Sequence, residues 1–206
     1  MPRTKGDHES RRREVSEAVW RVLAARGFGG LTLRAVAAEL GATTGLLTHY
    51  FPAKRDLVAY ALDLLEERTA VGRRAPGTPG LEAVRSALLG ILPLTAEAAA
   101  VNRIWVSSWD TALADPDLTE DYGRKYGRGR ERLTALVAGA QERGELPAGD
   151  PERIASGAQA FALGLVVQAL FDPTTYPPAR QTALLDDYLA TLTGREAEPR
   201  GDSGSH

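Results

Sequence analysis

The sequence predicts an all-α fold: a small N-terminal helix-turn-helix head joined to a larger helical body. Three observations predict it. Periodic stretches repeat their apolar residues at helical spacing, and no convincing run of alternating β-branched residues appears. Gly27 and Gly41 stand just past such stretches, where a left-handed residue commonly ends a helix. Asp150-Pro151 is a helix start, an N-cap followed by proline at the first helical position.

The elements follow in order. A polar arm covers residues 1–9. A first helix runs from about Ser10 to Arg26 with Val15, Val19, Val22 and Leu23 on one face. Thr32 caps a short helix to Leu40, Gly41 breaks it, and Thr43 begins another ending near Tyr50. Pro52 restarts the chain as a longer helix with Leu57, Tyr60, Ala61, Leu64 and Leu65 in its stripe. Residues 73–80 hold two prolines and two glycines and read as a junction. Helices are then expected over Leu81–Leu92, Ala96–Leu113 and Asp117–Gly144, the last with Asp117 and Glu120 as a capping box. Two more run from Asp150 to Phe171 and from Pro178 to Thr193. The predicted domains are an arm at 1–9, a helix-turn-helix domain at 10–52, a ligand-binding and dimerisation body at 53–193 and a disordered tail at 194–206.

Composition narrows the class. With 206 residues, 43% hydrophobic and 25% charged, the chain is an ordinary globular protein rather than a disordered one. Cysteine is absent, which excludes disulfides and thiolate-held zinc, and no apolar leader marks the N-terminus, so a cytoplasmic protein is expected. Ile154 to Phe171 carries no charge and approaches a bilayer span in length. Ser156, Gln159, Gln168 and much Ala and Gly make a buried helix or a helix interface the better reading, with no membrane partner. The net charge of −2 is unevenly placed. Up to Arg55 there are ten Lys/Arg against five Asp/Glu, and after it fifteen against twenty-two. A basic N-terminal quarter on an acidic remainder suits a protein that meets a polyanion at one end.

Residues Thr32 to Phe51 carry the chemistry. Leu33, Val36, Ala37, Leu40, Ala42, Leu47 and Phe51 can form a small core, and Gly41 supplies the turn. Outside remain Thr43, Thr44, Gly45, Thr48, His49 and Tyr50, with no carboxylate to repel phosphate. Hydroxyls and imidazole can bond base edges or phosphates, and threonine methyls can meet thymine methyls. Leu46 fits two places, the groove side or a half-buried core position. Arg11, Arg12 and Arg13 suit either DNA or a solvated helix start.

The segment GATTGLLTHYFPAKRDL, Gly41 to Leu57, closely resembles the DNA-binding signature of the tetracycline-repressor (TetR-like) family. The resemblance implies a homodimer that binds double-stranded operator DNA and a small-molecule effector. It places Thr43, Thr44, Gly45, Leu46, Thr48, His49 and Tyr50 on the recognition-helix surface. Lys54, Thr32 and Arg34 fall on positions that hold backbone phosphate. Thr48 departs from the pattern, since an aromatic residue is common there, and Arg55 stands where an acidic one is common and should add to phosphate attraction.

The body lacks signs of catalysis, so no enzyme is expected. The histidines are at 8, 49 and 206, leaving none there for a triad or a metal site, and no phosphate-binding loop is present. No cofactor is expected. A ligand pocket is expected from Trp105, Trp109, Asp110, Tyr122, Tyr126, Phe161, Leu165 and Gln168. Trp105 and Trp109, four apart with Asp110 beside them, suit either core packing or a cationic ligand held by cation–π attraction. The stretch from Trp105 through Tyr122 and Tyr126 to Phe171-Asp172-Pro173 is similar to the betaine-synthesis-repressor (BetI-like) branch. Leu170, Leu185, Tyr188, Leu189 and Leu192 are the expected dimer surface. The reading is a ligand-responsive regulator, a repressor by its resemblance. Two rivals remain: a small-molecule-binding helical protein without DNA function, and a helical enzyme with an apolar substrate.

Overall fold

A computed structural model of the chain describes residues 5–70 and 79–194, with side chains for 10–68 and 79–194. Among the described residues there are nine α-helices and no strand: α1 (Lys5–Arg26), α2 (Leu33–Leu40), α3 (Thr44–Tyr50), α4 (Lys54–Ala70), α5 (Leu81–Leu89), α6 (Ala96–Leu113), α7 (Pro116–Glu142), α8 (Pro151–Phe171) and α9 (Pro178–Leu192). α1 begins earlier than expected, so residues 5–9 of the supposed arm are helical. Residues 1–4, most of the 73–80 junction and the tail from 195 onward lie outside the described residues. α5 ends sooner than expected, at Leu89, where Gly90 takes the cap.

One helix start is corrected. Asp115, not Asp117, caps α7: its Oδ1 accepts from the backbone N–H of Asp117 at 3.0 Å and of Leu118 at 3.3 Å. Pro116 then occupies the first helical position, where its missing N–H costs nothing. The same Asp-Pro device starts α8, where Asp150 Oδ1 accepts from Glu152 N–H at 3.0 Å.

The chain divides into two compact units whose composition differs from a cut after residue 52. The first is Met1–Arg74 with Ala96–Lys125, and the second is Ala75–Thr95 with Tyr126–His206. α4, α6 and the start of α7 therefore group with the helix-turn-helix. In the first unit Val15, Val19, Val22 and Leu23 of α1 are buried with Leu31, Val36, Leu47, Leu57 and Leu65. Each such buried leucine contributes roughly 1.5–3 kcal/mol relative to exposure. A single 3-10 turn at Phe28–Gly30, absent from the sequence expectation, buries Phe28 and hydrogen-bonds its N–H to Ser107 Oγ of α6 at 3.3 Å.

In the second unit α5, the later part of α7, α8 and α9 share a core of Val84, Leu88, Leu133, Val137, Leu165, Val166, Leu185 and Leu189. Arg85 of α5 forks onto Asp186 of α9, with its Nε 2.6 Å from Oδ1. The hydrogen bonds to Asp186, the largest cause, raise the guanidinium pKa further. α8 is long and apolar enough to cross a membrane by length and composition. Its Ala155, Ala158, Ala162, Leu165 and Val166 lie in this core, while 33% of its apolar stretch is buried within the chain.

Candidate nucleic-acid interface

α2 is held at both ends by its own sequence. Thr32 Oγ1 accepts from Ala35 N–H at 3.0 Å, closing the N-terminus. At the other end Gly41 takes the left-handed conformation, φ 63° and ψ 30°. Ala42 N–H reaches back to Ala37 O at 2.9 Å and Gly41 N–H to Ala38 O at 3.2 Å, the paired bonds of a Schellman stop. The chain is thereby turned into α3 within three residues.

α3 rests on Leu47, which is fully buried. Leu46 and Tyr50 are half-buried, while Thr43, Thr44, Gly45, Thr48 and His49 are exposed. A Cβ on Gly45 would meet only Thr43 Oγ1, at 3.9 Å, so the protein's own packing does not require its bareness. The hydroxyls are not equivalent. Thr48 Oγ1 donates to Gly45 O at 2.9 Å, which leaves its lone pairs to accept. Thr32 uses one lone pair on its cap and keeps its O–H to donate. His49 meets Tyr50 edge-on, with centroids 6.0 Å apart, and Phe51 beyond them is buried against Tyr60.

The flanking cations divide in two. Arg34 and Lys54 are exposed. Arg55, expected to add to phosphate attraction, is instead bonded through Nη2 to Asp117 Oδ2 of α7 at 2.7 Å. That bond, with the charges of Asp117 and Asp115, raises its pKa further. Glu39, the carboxylate of α2, is bound by Arg21 at 2.6 Å. Asp56 turns back to accept from Ala53 N–H at 2.8 Å and starts α4. The exposed face of α3 and its flanks thus carry cations and hydroxyls, with the nearby carboxylates engaged.

The expected pocket residues fall into two groups, one in each unit. In the first, Trp105 meets buried Tyr122 edge-on at 5.7 Å. The Tyr122 hydroxyl bonds that of Ser108, which also bonds Trp105 O at 2.6 Å. Ser108 is 1% exposed, a polar member that helical periodicity alone does not reveal. Trp109 is half-buried and Asp110 exposed. In the second unit Phe161 stacks on Tyr188 with centroids 4.3 Å apart, and Tyr126 O accepts from Gln159 Nε2 at 3.3 Å. Two of the expected pocket residues take different environments. Leu165 fills the core, and Gln168 is exposed, accepting from the Tyr176 hydroxyl across the α8–α9 turn.

Two of the five expected dimer residues are corrected. Leu185 and Leu189 are buried in their own core, so their side chains do not face outward. Leu170, Tyr188 and Leu192 are half-buried at its edge, and Phe171 is 81% exposed.

Comparison with known proteins agrees with this geometry. Residues 16–61 match the profile of the bacterial regulatory proteins of the tetR family. Residues 80–194 match that of the C-terminal region of BetI-type transcriptional repressors. The transcriptional regulator PksA of Bacillus subtilis is 28% identical over 172 residues, covering 81% of this chain and 82% of that protein. The regulator BetI of Burkholderia thailandensis is 26% identical over 201 residues, covering 96% of this chain and all of that protein. A solved transcriptional regulator of Saccharomonospora viridis, in complex with choline, superposes with a TM-score of 0.77 at 22% identity. That match covers 88% of this chain and 96% of the other.

Proposed function

Because the chain belongs to the tetR family of bacterial transcriptional regulators and carries a BetI-type repressor C-terminal region, we propose that it represses as a homodimer, reading a palindromic operator through α3. The observation that carries this reading is the exposed, carboxylate-free face from Thr43 to His49 above fully buried Leu47. A helix is about 10–12 Å across with its side chains, and the major groove is about 12 Å wide. Thr44 and His49 then read base edges. Thr48, with its proton already donated, accepts from the amino groups of adenine or cytosine. Gly45 admits close approach, and Leu46 and the threonine methyls meet thymine methyls. Thr32, Arg34, Tyr50 and Lys54 hold backbone phosphate and carry no sequence information themselves.

The dimer forms through the outer faces of α8 and α9, with Leu170, Tyr188 and Leu192 at the contact and Phe171 and Phe161 beside them. Two helices from each chain make a four-helix interface of the kind common in symmetric dimers. That symmetry sets the two α3 helices in successive major grooves, about 34–36 Å apart. A small-molecule effector favours a second conformation and, by linkage, weakens operator binding. Choline is the first effector to try, since a chain of the same fold was solved with it. The aromatic faces of Trp105, Trp109 and Tyr122 suit a quaternary ammonium. The protein acts in the cytoplasm, where its operator is.

The test is selection of bound fragments from genomic DNA, followed by footprinting with and without choline. Two protected half-sites one helical turn apart support the reading, and choline-dependent loss of protection supports the effector. Recovery of fragments with no common palindrome refutes operator reading. Persistence of the footprint at saturating choline refutes choline.

A further inference from the structure

The arginine run at the start of α1 is not one feature. Arg11 is bonded to Glu14 at 2.8 Å, one turn along its own helix. Arg13 borders a separate open groove with Glu14, Glu17, Arg21 and Glu39. Arg12 lies elsewhere. It is exposed, and it borders a cleft of about 110 Å³ whose other walls are Val15, Tyr50, Phe51 and Tyr60. No carboxylate lines that cleft, and no ion pair engages Arg12 among the described residues. The floor is apolar: Val15 and Phe51 are buried, and Phe51 packs on the Tyr60 ring at 5.2 Å. The Tyr60 hydroxyl is taken by Ser16, so the polar groups left at the rim are the Arg12 guanidinium and the Tyr50 phenol.

We propose that Arg12 and Tyr50 together hold one DNA backbone phosphate at the C-terminal end of the recognition helix. Arg12 thereby extends the DNA-binding surface onto α1. A guanidinium and a phenol are both donors, and phosphate is their natural acceptor. The apolar floor keeps water from one side of the contact, which strengthens it. The cleft is well below the roughly 300–1,000 Å³ of small-molecule pockets, so an effector does not fit its size. Arg12 precedes residues 16–61, the part of the chain that matches the tetR-family profile.

The inference rests on α3 being the DNA-contacting helix, and its test separates the two. Affinity for a duplex selected from genomic DNA is measured against salt for the full chain and for Arg12→Ala, Arg12→Lys, Arg13→Ala and Lys54→Ala. Each phosphate contact contributes about 0.9 to the slope of log K against log salt. Arg12→Ala should therefore flatten the slope by about 1.8 for a dimer, and Arg12→Lys should keep most of it. Arg13→Ala should leave it unchanged. A duplex scanned with neutral methylphosphonates should show one position per half-site that weakens the native protein about tenfold but does not weaken Arg12→Ala further. An unchanged slope and an unchanged scan in Arg12→Ala, with Lys54→Ala still flattened, overturn the Arg12 contact and leave the reading of α3 standing. Salt-independent or absent binding by the native chain overturns both.

Discussion

Replacing Gly27 by alanine is expected to cost more stability than the same change at Gly41, although the two glycines have nearly equal positive φ. Gly41 has φ 63° and ψ 30°, and a Cβ there would meet nothing within 4 Å. Its alanine variant carries only the left-handed penalty of about 1–2 kcal/mol, partly offset by roughly 0.4–1 kcal/mol from a less flexible unfolded chain. Gly27 has φ 60° and ψ −169°, a region essentially confined to glycine. Its Cβ would stand 3.0 Å from Ser107 Oγ and 3.3 Å from Ser107 Cβ. Ser107 must shift, and it accepts the Phe28 N–H bond, so about 1 kcal/mol of hydrogen bonding is added to the roughly 1–3 kcal/mol of backbone strain. With the same unfolded-chain offset at both sites and about 2–4 °C per kcal/mol for a chain of this size, Gly41→Ala should lower Tm by roughly 0–6 °C and Gly27→Ala by roughly 2–14 °C. Asparagine sharpens the contrast, because it tolerates the left-handed region but not the extended positive-φ one. Gly41→Asn should be milder than Gly41→Ala, and Gly27→Asn should be as harmful as Gly27→Ala. Thermal unfolding of the four variants checks this. Equal losses at the two sites, or an asparagine at 27 as mild as one at 41, refute the reasoning.

Lys54→Ala should weaken binding to every DNA sequence alike and flatten the salt slope by about 0.9 per protomer; salt titrations on two unrelated duplexes check it, and a loss confined to one sequence counts against a phosphate role. Tyr188→Glu places a charge on the stacked aromatic face of α8 and α9 and should shift a dimer toward monomer; sedimentation over a range of concentrations checks it, and an unchanged state contradicts the assigned interface. Asp172 has its carboxyl pKa held below the usual 3.8 by hydrogen bonds from the Thr175 side chain and backbone. Its stabilisation is present above that value and is lost as pH falls through the lower folded one. The Tm gap between the native chain and Asp172→Asn should therefore be present at neutral pH and close as the carboxyl protonates in acid, and a gap that widens there refutes the sign.

The sequence was most legible where a local signal had no competitor. Thr32, Gly41 and Asp150-Pro151 each satisfy backbone groups within a turn of themselves, so their roles follow from neighbours in the chain. At Asp115 to Glu120 two local signals competed. Asp117 with Glu120 matches a capping box, but Pro116 cannot donate and belongs at the first helical position, which makes Asp115 the cap. Arg55 shows a different limit. Its partner is 62 positions away, so a free cation and a bridged one look the same in sequence. In α9 leucines lie on both faces, and periodicity alone does not say which face meets its own core. The structure buries Leu185 and Leu189 there and leaves Tyr188 and Leu192 at the edge. The grouping of α6 with the head was hidden for the same reason: the Phe28–Ser107 bond spans 79 positions and has no local trace.

Lys54 and Arg55 are consecutive, yet they take different environments. Neighbouring residues on a helix point about 100° apart, so the two cations that open α4 leave it in different directions. Lys54 is exposed, and Arg55 reaches α7 at Asp117. Further along, Lys125 of α7, whose side chain is 13% exposed, reaches Asp63 at 3.6 Å and Glu66 at 3.3 Å on α4. From Arg55 to Asp63 and from Asp117 to Lys125 the chain advances by the same eight residues, about 12 Å of helix. The bridges therefore join two helices running in the same direction at matched intervals, with the sign of the charge reversed between one bridge and the next. Slipping α7 by eight residues along α4 would set Arg55 against Lys125, so these charges disfavour that register modestly. The helix that opens on Lys54 is thus tied to α7 at two points within one unit. A displacement of the start of α7 must either break those bridges or carry α4 with it.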